Sequence, residues 1–252
     1  MFRFHRGFVL LAACMAAFCA DVHAAGVRDG FESPELSSLW TDMRIDARGY
    51  RFVAEPVREG RQALEITLQP GAKRGLGKDG IQTERAELTD ADHLRSSLGE
   101  EAWYAFSFYI PDDVTIPKGR VVFAQWKQAC ADCTLKHHPI VSLRLRSGML
   151  RVYVQNGAQK MVLYKKRHSL QGRWTDVVFG LKPKVDDDGM LRVFINDEQV
   201  VAYDGPFGYV EDKPEVYFKM GLYRDANPHP MRIIIDDYRR GKYLDEVVAQ
   251  PK

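Results

Sequence analysis

The sequence has few cysteines, a single long apolar run and almost no excess of either charge, and each shortage excludes something. Of its 252 residues only four are cysteine. A scaffold stapled by many disulfides is therefore excluded, and the chain must fold around a hydrophobic core. Lys and Arg number 36 against 34 Asp and Glu. Such a balance gives no global pull on nucleic acid, so any attraction for an anion must come from local clustering. Sustained helical periodicity is nearly absent, and no linker, repeat or low-complexity tract interrupts the chain.

The one apolar run, Gly7 to Ala20, follows Arg3 and Arg6 and precedes the small-residue pattern Val22-His23-Ala24. This is the layout of a cleavable secretory signal over residues 1–24, too short and wrongly flanked to span a membrane. A second reading makes Leu11-Ala-Ala-Cys14 a lipidation site, but the apolar run continues beyond Cys14. The mature chain is then one domain over residues 25–252, expected to be a secreted or periplasmic monomer with no membrane contact. Cys130 and Cys133 are its only cysteines, and outside the cytoplasm they should close a local disulfide. So short a loop stiffens its own segment and adds little global stability. A metal site shared with His137 and His138 is the alternative for the same residues.

Short runs of β-branched, aromatic and leucine residues recur along the chain between Gly, Pro, Asn and Asp, which predicts an all-β, two-sheet antiparallel sandwich. Strands are predicted at 63–69, 81–88, 103–110, 120–127, 140–146, 150–155, 174–181, 191–195, 199–203, 217–223 and 231–238. A short helix is predicted at 90–101. Alternate side chains of a strand share a face. In 217–223 the core set is Phe218, Met220 and Leu222, leaving Tyr217, Lys219, Gly221 and Tyr223 on the other face. In 120–127 it is Val122, Ala124 and Trp126, with Phe123, Gln125 and Lys127 opposite. Ala86 and Leu88 leave Arg85 and Glu87 opposite; Val141, Leu143 and Leu145 leave Ser142, Arg144 and Arg146, and the next strand adds Arg151 and Tyr153. A wet sheet face ordinarily carries Lys and Arg. Gln125, Tyr217, Gly221 and Tyr223 are not the usual solubilising choices, and a glycine inside a strand marks close approach to the backbone.

Three segments, Thr83-Glu-Arg-Ala-Glu-Leu88, Val121-Val-Phe-Ala-Gln-Trp-Lys127 and Tyr217-Phe-Lys-Met-Gly-Leu-Tyr-Arg224, give the chain a resemblance to the β-jelly-roll polysaccharide lyases. That superfamily holds alginate lyases, glucuronan lyases and heparin lyase I. Asp29-Gly-Phe-Glu32 with Trp40, and Ile233-Ile-Ile-Asp-Asp-Tyr238, resemble its first and last strands. The resemblance implies a jelly roll, concanavalin-like, with a cleft on one concave sheet, and cleavage of an anionic, uronic-acid polysaccharide by β-elimination. It also implies that Arg85, Gln125 and Tyr223 face the cleft, with Lys219 matching a cleft lysine of the heparin lyase I branch. Alginate lyases carry histidine two residues after the Gln, where this chain has Lys127; His137 or His138 would have to take that role.

Such a lyase removes the proton at C5, beside an ionised carboxylate, and expels O4. Arg85 and Gln125 suit the carboxylate, and Tyr223 suits the acid. The base lies between Tyr223 and His137 or His138. Lys219, Lys127, Arg144, Tyr153, Tyr217 and Arg224 are candidates for gripping neighbouring sugars. No cofactor is required. A structural calcium has no support in the sequence, since Asp186-Asp-Asp188-Gly189 lacks the later ligands of a calcium loop. A non-catalytic carbohydrate-binding module of the same architecture, or a glycoside hydrolase, are the rival functions.

Overall fold

The computed structural model describes residues 26–248 apart from 47, 78, 79, 135, 136 and 187. The expected signal segment and Cys14 lie outside the described residues. In chain order the strands are β1 (Val27–Asp29), β2 (Trp40–Arg44), β3 (Tyr50–Val53), β4 (Ala63–Leu68), β5 (Gly75–Leu76) and β6 (Gln82–Asp90). Next come β7 (Ser96–Ser97), β8 (Ala102–Tyr109), β9 (Val121–Gln128), β10 (Val141–Arg146), β11 (Met149–Asn156) and β12 (Gln159–Arg167). The last are β13 (Trp174–Lys182), β14 (Met190–Ile195), β15 (Glu198–Asp204), β16 (Glu215–Asp225) and β17 (Met231–Gly241). Among the described residues no helix is long and apolar enough to cross a membrane.

The strands form two antiparallel sheets, as the recurring short runs predict. One runs β15-β14-β13-β8-β17-β4-β3, with β1 added at β17; the other runs β12-β11-β10-β9-β16-β6-β2, with β5 and β7 added at β6 and β16. Strand β16 thus enters between β6 and β9, which come far earlier in the chain. Its Val216, Phe218, Met220 and Leu222 are at most 2% exposed. Phe218 packs against Trp126 at 4.9 Å between ring centres, and Trp126 meets Phe179 of the facing sheet at 4.5 Å. Truncating an aromatic in such a core costs about 3–5 kcal/mol.

Three departures from the sequence reading are found here, two of them corrections and one an unforeseen strand. The alternation in β9 slips at an extra residue: Leu143 pairs with Ala124 and Arg144 with Val122, leaving Phe123 as the bulge. Phe123 therefore joins Ala124 in the core, stacked on Phe108 at 4.9 Å, and Val122 moves to the outer face beside Arg144. The predicted helix at 90–101 is instead a single 3₁₀ turn at Asp92–Leu94 followed by β7. Strand β12 is unannounced by its sequence, because its basic residues fall on both parities.

A third correction concerns Arg224. It lies on the core side of β16, only 1% exposed, with Nη2 3.0 Å from Glu84 Oε2 across the β16–β6 pair. It holds the sheet and cannot touch a polymer. Gly221 has φ 130°, and a Cβ there would meet the Ala86 carbonyl oxygen at 2.4 Å. The glycine lets β16 bulge against β9 while keeping register with β6.

Arg224→Met should cost about 3–5 kcal/mol, read from urea unfolding, because it leaves the Glu84 carboxylate buried and unpaired. Glu84→Gln/Arg224→Met should recover much of that loss, since neither buried charge then remains.

Candidate active site

A cleft of about 390 Å³ opens on the outer face of the β12–β2 sheet. Its floor comes from β6, β9, β10 and β16, and one wall is the stretch bearing Cys130, Cys133, His137 and His138. A roomier hollow of about 620 Å³, beside Asp46 and Gln69, has no comparable convergence of cations, so volume does not decide the site.

Register explains which side chains meet. Tyr223 lies directly across from Arg85 on β6 and from Val122 on β9. The Arg85 guanidinium sits 4.6 Å from the centre of the Tyr223 ring, and that of Arg120 sits 5.4 Å away. Arg120 is itself held by Asp225, 2.6 Å from Nη2. Lys219 pairs with Gln125 on one side and Thr89 on the other. The alternation that buries Phe218 and Met220 thus aims Lys219 and Tyr223 into the cleft.

Beneath them lies Glu87, opposite the side-chain-free Gly221 and only 1% exposed. Its Oε1 accepts a hydrogen bond from the Gln125 amide, and Arg85 Nη1 stands 3.8 Å from its Oε2. The carboxylate fixes which way the Gln125 amide faces and counters the crowded cations. The sequence put Glu87 on the face of Arg85 without giving it a role. The signal was its position two residues from the arginine and across from a glycine.

Crowding shows in the lysines. Burial lowers the pKa of Lys219 to about 8; Glu87 opposes the shift, and Arg85, Lys127 and Arg44 add to it. Burial and then Arg85 also lower Lys127. Arg144 is pushed down to about 10, first by burial and then by Arg120. Tyr217 is raised by burial, with Lys219 5.4 Å and Arg95 5.6 Å from its ring centre. Tyr153 lies beyond Arg144, which is 4.9 Å from its ring centre, and Arg151 donates to its hydroxyl at 3.1 Å.

Both histidines line the cleft. His137 is committed: Nδ1 is 2.6 Å from Asp212 Oδ2, Nε2 is 3.5 Å from Glu211 Oε1, and the ring stacks on Tyr209 at 4.3 Å. Asp212, Arg44 and Arg120 are cleft residues that sequence reasoning missed. Asp212 is far from His137 in the chain and carries no motif. Cys130 and Cys133 are joined as a disulfide, Cα atoms 5.1 Å apart, so their sulfurs are not metal-binding thiolates. Among the described residues no group of three or more His, Cys, Asp or Glu could hold a metal ion.

Fold and cleft together define a β-sandwich built to receive an anionic chain molecule. The sequence matches the family described as polysaccharide lyase over residues 31–247, and the chain belongs to that family. It is therefore an enzyme, a carbon–oxygen lyase acting on polysaccharides. Among curated proteins, none matches. Its fold is similar to the crystal structure of an endo-β-1,4-glucuronan lyase from the fungus Trichoderma reesei, with TM-score 0.69, 16% identity, and coverage of 89% of this chain and 98% of that one. It is also similar to the cellulose-induced protein Cip1 (TM-score 0.58, 11% identity, 86% and 97% covered). A family 7 alginate lyase, A1-II′, gives TM-score 0.53 at 15% identity, with 78% and 81% covered. At these identities the likeness establishes shared fold alone.

Lys219 gives the site a pH dependence with a definite sign. Its ammonium is charged below about 8 and neutral above. Steady-state kcat/KM for a polyuronate should therefore fall as pH rises through about 8, and Lys219→Arg should move the fall upward. Unfolded lysine keeps its proton to higher pH, so this group's contribution to folding stability increases with pH over the same interval.

Proposed function

We propose that the protein cleaves a 1,4-linked polyuronate of glucurono configuration by β-elimination, with Tyr223 moving the proton. The observation that carries this reading is the Tyr223–Arg85 pair, in direct register and 4.6 Å from guanidinium to ring centre, with Gln125 on the next strand. The similarity to an endo-β-1,4-glucuronan lyase, which spans nearly all of that chain, supports the choice of polymer.

The C5 proton is hard to remove because charge builds beside an ionised carboxylate. Arg85 and the outward N–H of Gln125 take that carboxylate, since Glu87 occupies the other amide hydrogen. In glucurono sugars the C5 hydrogen and O4 project from the same side of the ring. One group above that side can accept the C5 proton and return it to O4 as the C4–O4 bond breaks and the C4=C5 double bond forms. Tyr223 takes both parts. Arg85 and Arg120 stand over its ring, and the engagement of both His137 nitrogens favours the tyrosine over that histidine as base. Lys219 and Lys127 grip carboxylates of neighbouring sugars. No cofactor enters this scheme, because each proton passes between protein and substrate. The same reading has the protein exported on residues 1–24 and working as a monomer.

A hydrolase would instead need two free carboxylates roughly 5–9.5 Å apart across the bond. The cleft acids are engaged: Glu87 by Gln125, Asp212 by His137.

Tyr223→Phe should lower kcat on polyglucuronate by about 10²–10⁴-fold, measured as ultraviolet absorbance of the unsaturated product. Near wild-type turnover would remove Tyr223 from the chemistry. His138→Ala should retain most activity; a loss as large as that of Tyr223→Phe would make the histidine the base.

A further inference from the structure

The rung that carries Tyr223 does not stop at the cleft. Following direct partners across the sheet from β6 gives Arg85, Tyr223, Val122, Arg144, Arg151 and Lys165. From β10 at the cleft floor outward through β11 and β12, three consecutive strands thus place a cation on one line, aimed at the same face as the catalytic tyrosine. Strands β10, β11 and β12 contain two, one and four basic residues and no Asp or Glu. Among the described residues, Arg146, Arg151, Lys160, Lys165 and Arg167 have no carboxylate partner. Elsewhere on the protein Arg and Lys are commonly paired, as in Arg51–Glu65, Arg58–Asp176 and Arg239–Glu59. A solubilising face mixes signs; a face of one sign repels itself and persists where something neutralises it. Lys160 feels that repulsion, lowered by burial and then by Arg144.

Spacing decides what fits. Adjacent strands lie about 4.8 Å apart, close to the advance of one 1,4-linked pyranose. From Tyr223 to Lys165 is four strand spacings, roughly 19 Å. A polymer lying across the strands therefore meets about one strand per sugar. Tyr153, on the neighbouring rung, offers a ring held by Arg144 and by Lys160, whose Nζ is 4.5 Å from its centre.

We propose that Arg144, Arg151 and Lys165 form a polyanion track, so that a uronate chain in the cleft runs across β10, β11 and β12 with successive carboxylates over these cations. The enzyme then favours polymers charged on every sugar and cuts within long chains. This rests on the lyase reading above and adds binding positions to it.

The test compares kcat/KM on long polyglucuronate with kcat/KM on its tetrasaccharide, for the wild type and for Arg151→Glu/Lys165→Glu. The expected result is a fall in the long-to-short ratio of about tenfold or more. Added salt should depress the wild-type ratio more than the variant's. Lys166→Glu, on the opposite face of β12, should keep the wild-type ratio. An unchanged ratio in the double variant, or an equal fall in Lys166→Glu, overturns the track. If no polyuronate yields unsaturated product, the lyase reading fails separately. Polyglucuronate binding to Tyr223→Phe, with and without the charge reversals, then tests the track alone: about tenfold weaker binding supports it and equal binding overturns it. Duplex DNA bound as tightly as polyglucuronate would also overturn the assignment to uronates.

Discussion

The packing of Phe218 between Trp126 and the facing sheet is the contact on which the cleft depends. Phe218 is fully buried, and its neighbours in sequence on β16 are Tyr217 and Lys219. Because a strand turns successive side chains to opposite faces, anchoring Phe218, Met220 and Leu222 in the core fixes where Lys219 and Tyr223 point. Register with β6 then sets Arg85 against Tyr223, and register with β9 sets Gln125 against Lys219. The geometry of the cleft follows from hydrophobic packing on the reverse of the same strand.

Electrostatics works against this arrangement. Arg44, Arg85, Arg120, Arg144, Lys127 and Lys219 share one cleft, and burial lowers the pKa of Lys219, Lys127 and Arg144. Buried cations must be balanced. Glu87 and Asp225 supply part of the balance: Glu87 lies across from Gly221, and Asp225 grips Arg120 from the strand end. The cleft remains cationic overall.

Much of this was legible in the sequence because alternation is a local rule. It separated Phe218, Met220 and Leu222 from Lys219 and Tyr223 without reference to any other strand, and it put Arg85 and Glu87 together. It failed where geometry departs from strict alternation. The Phe123 bulge reverses Val122 and Phe123, and nothing in Val121-Val-Phe-Ala124 marks the extra residue. Arg224 looked like a cleft residue by its place after Tyr223, but its parity is that of the core, and only the distant Glu84 makes burial tolerable. Asp212 was invisible because its bond to His137 joins two loops. Strand β12 escaped notice because lysines on both parities hide its period, and with it went most of the basic surface beyond the cleft.

The position of β12 gives that surface another consequence. It ends its sheet, and among the described residues no strand pairs with its outer side. An open edge is a template on which a second copy can add a strand. With Lys160, Lys165, Lys166 and Arg167 along it and no acid on the two strands behind, each copy meets its own charge repeated when two such edges approach. The charges along this edge, that of Lys165 in the proposed track among them, thus oppose the addition of a neighbour's strand.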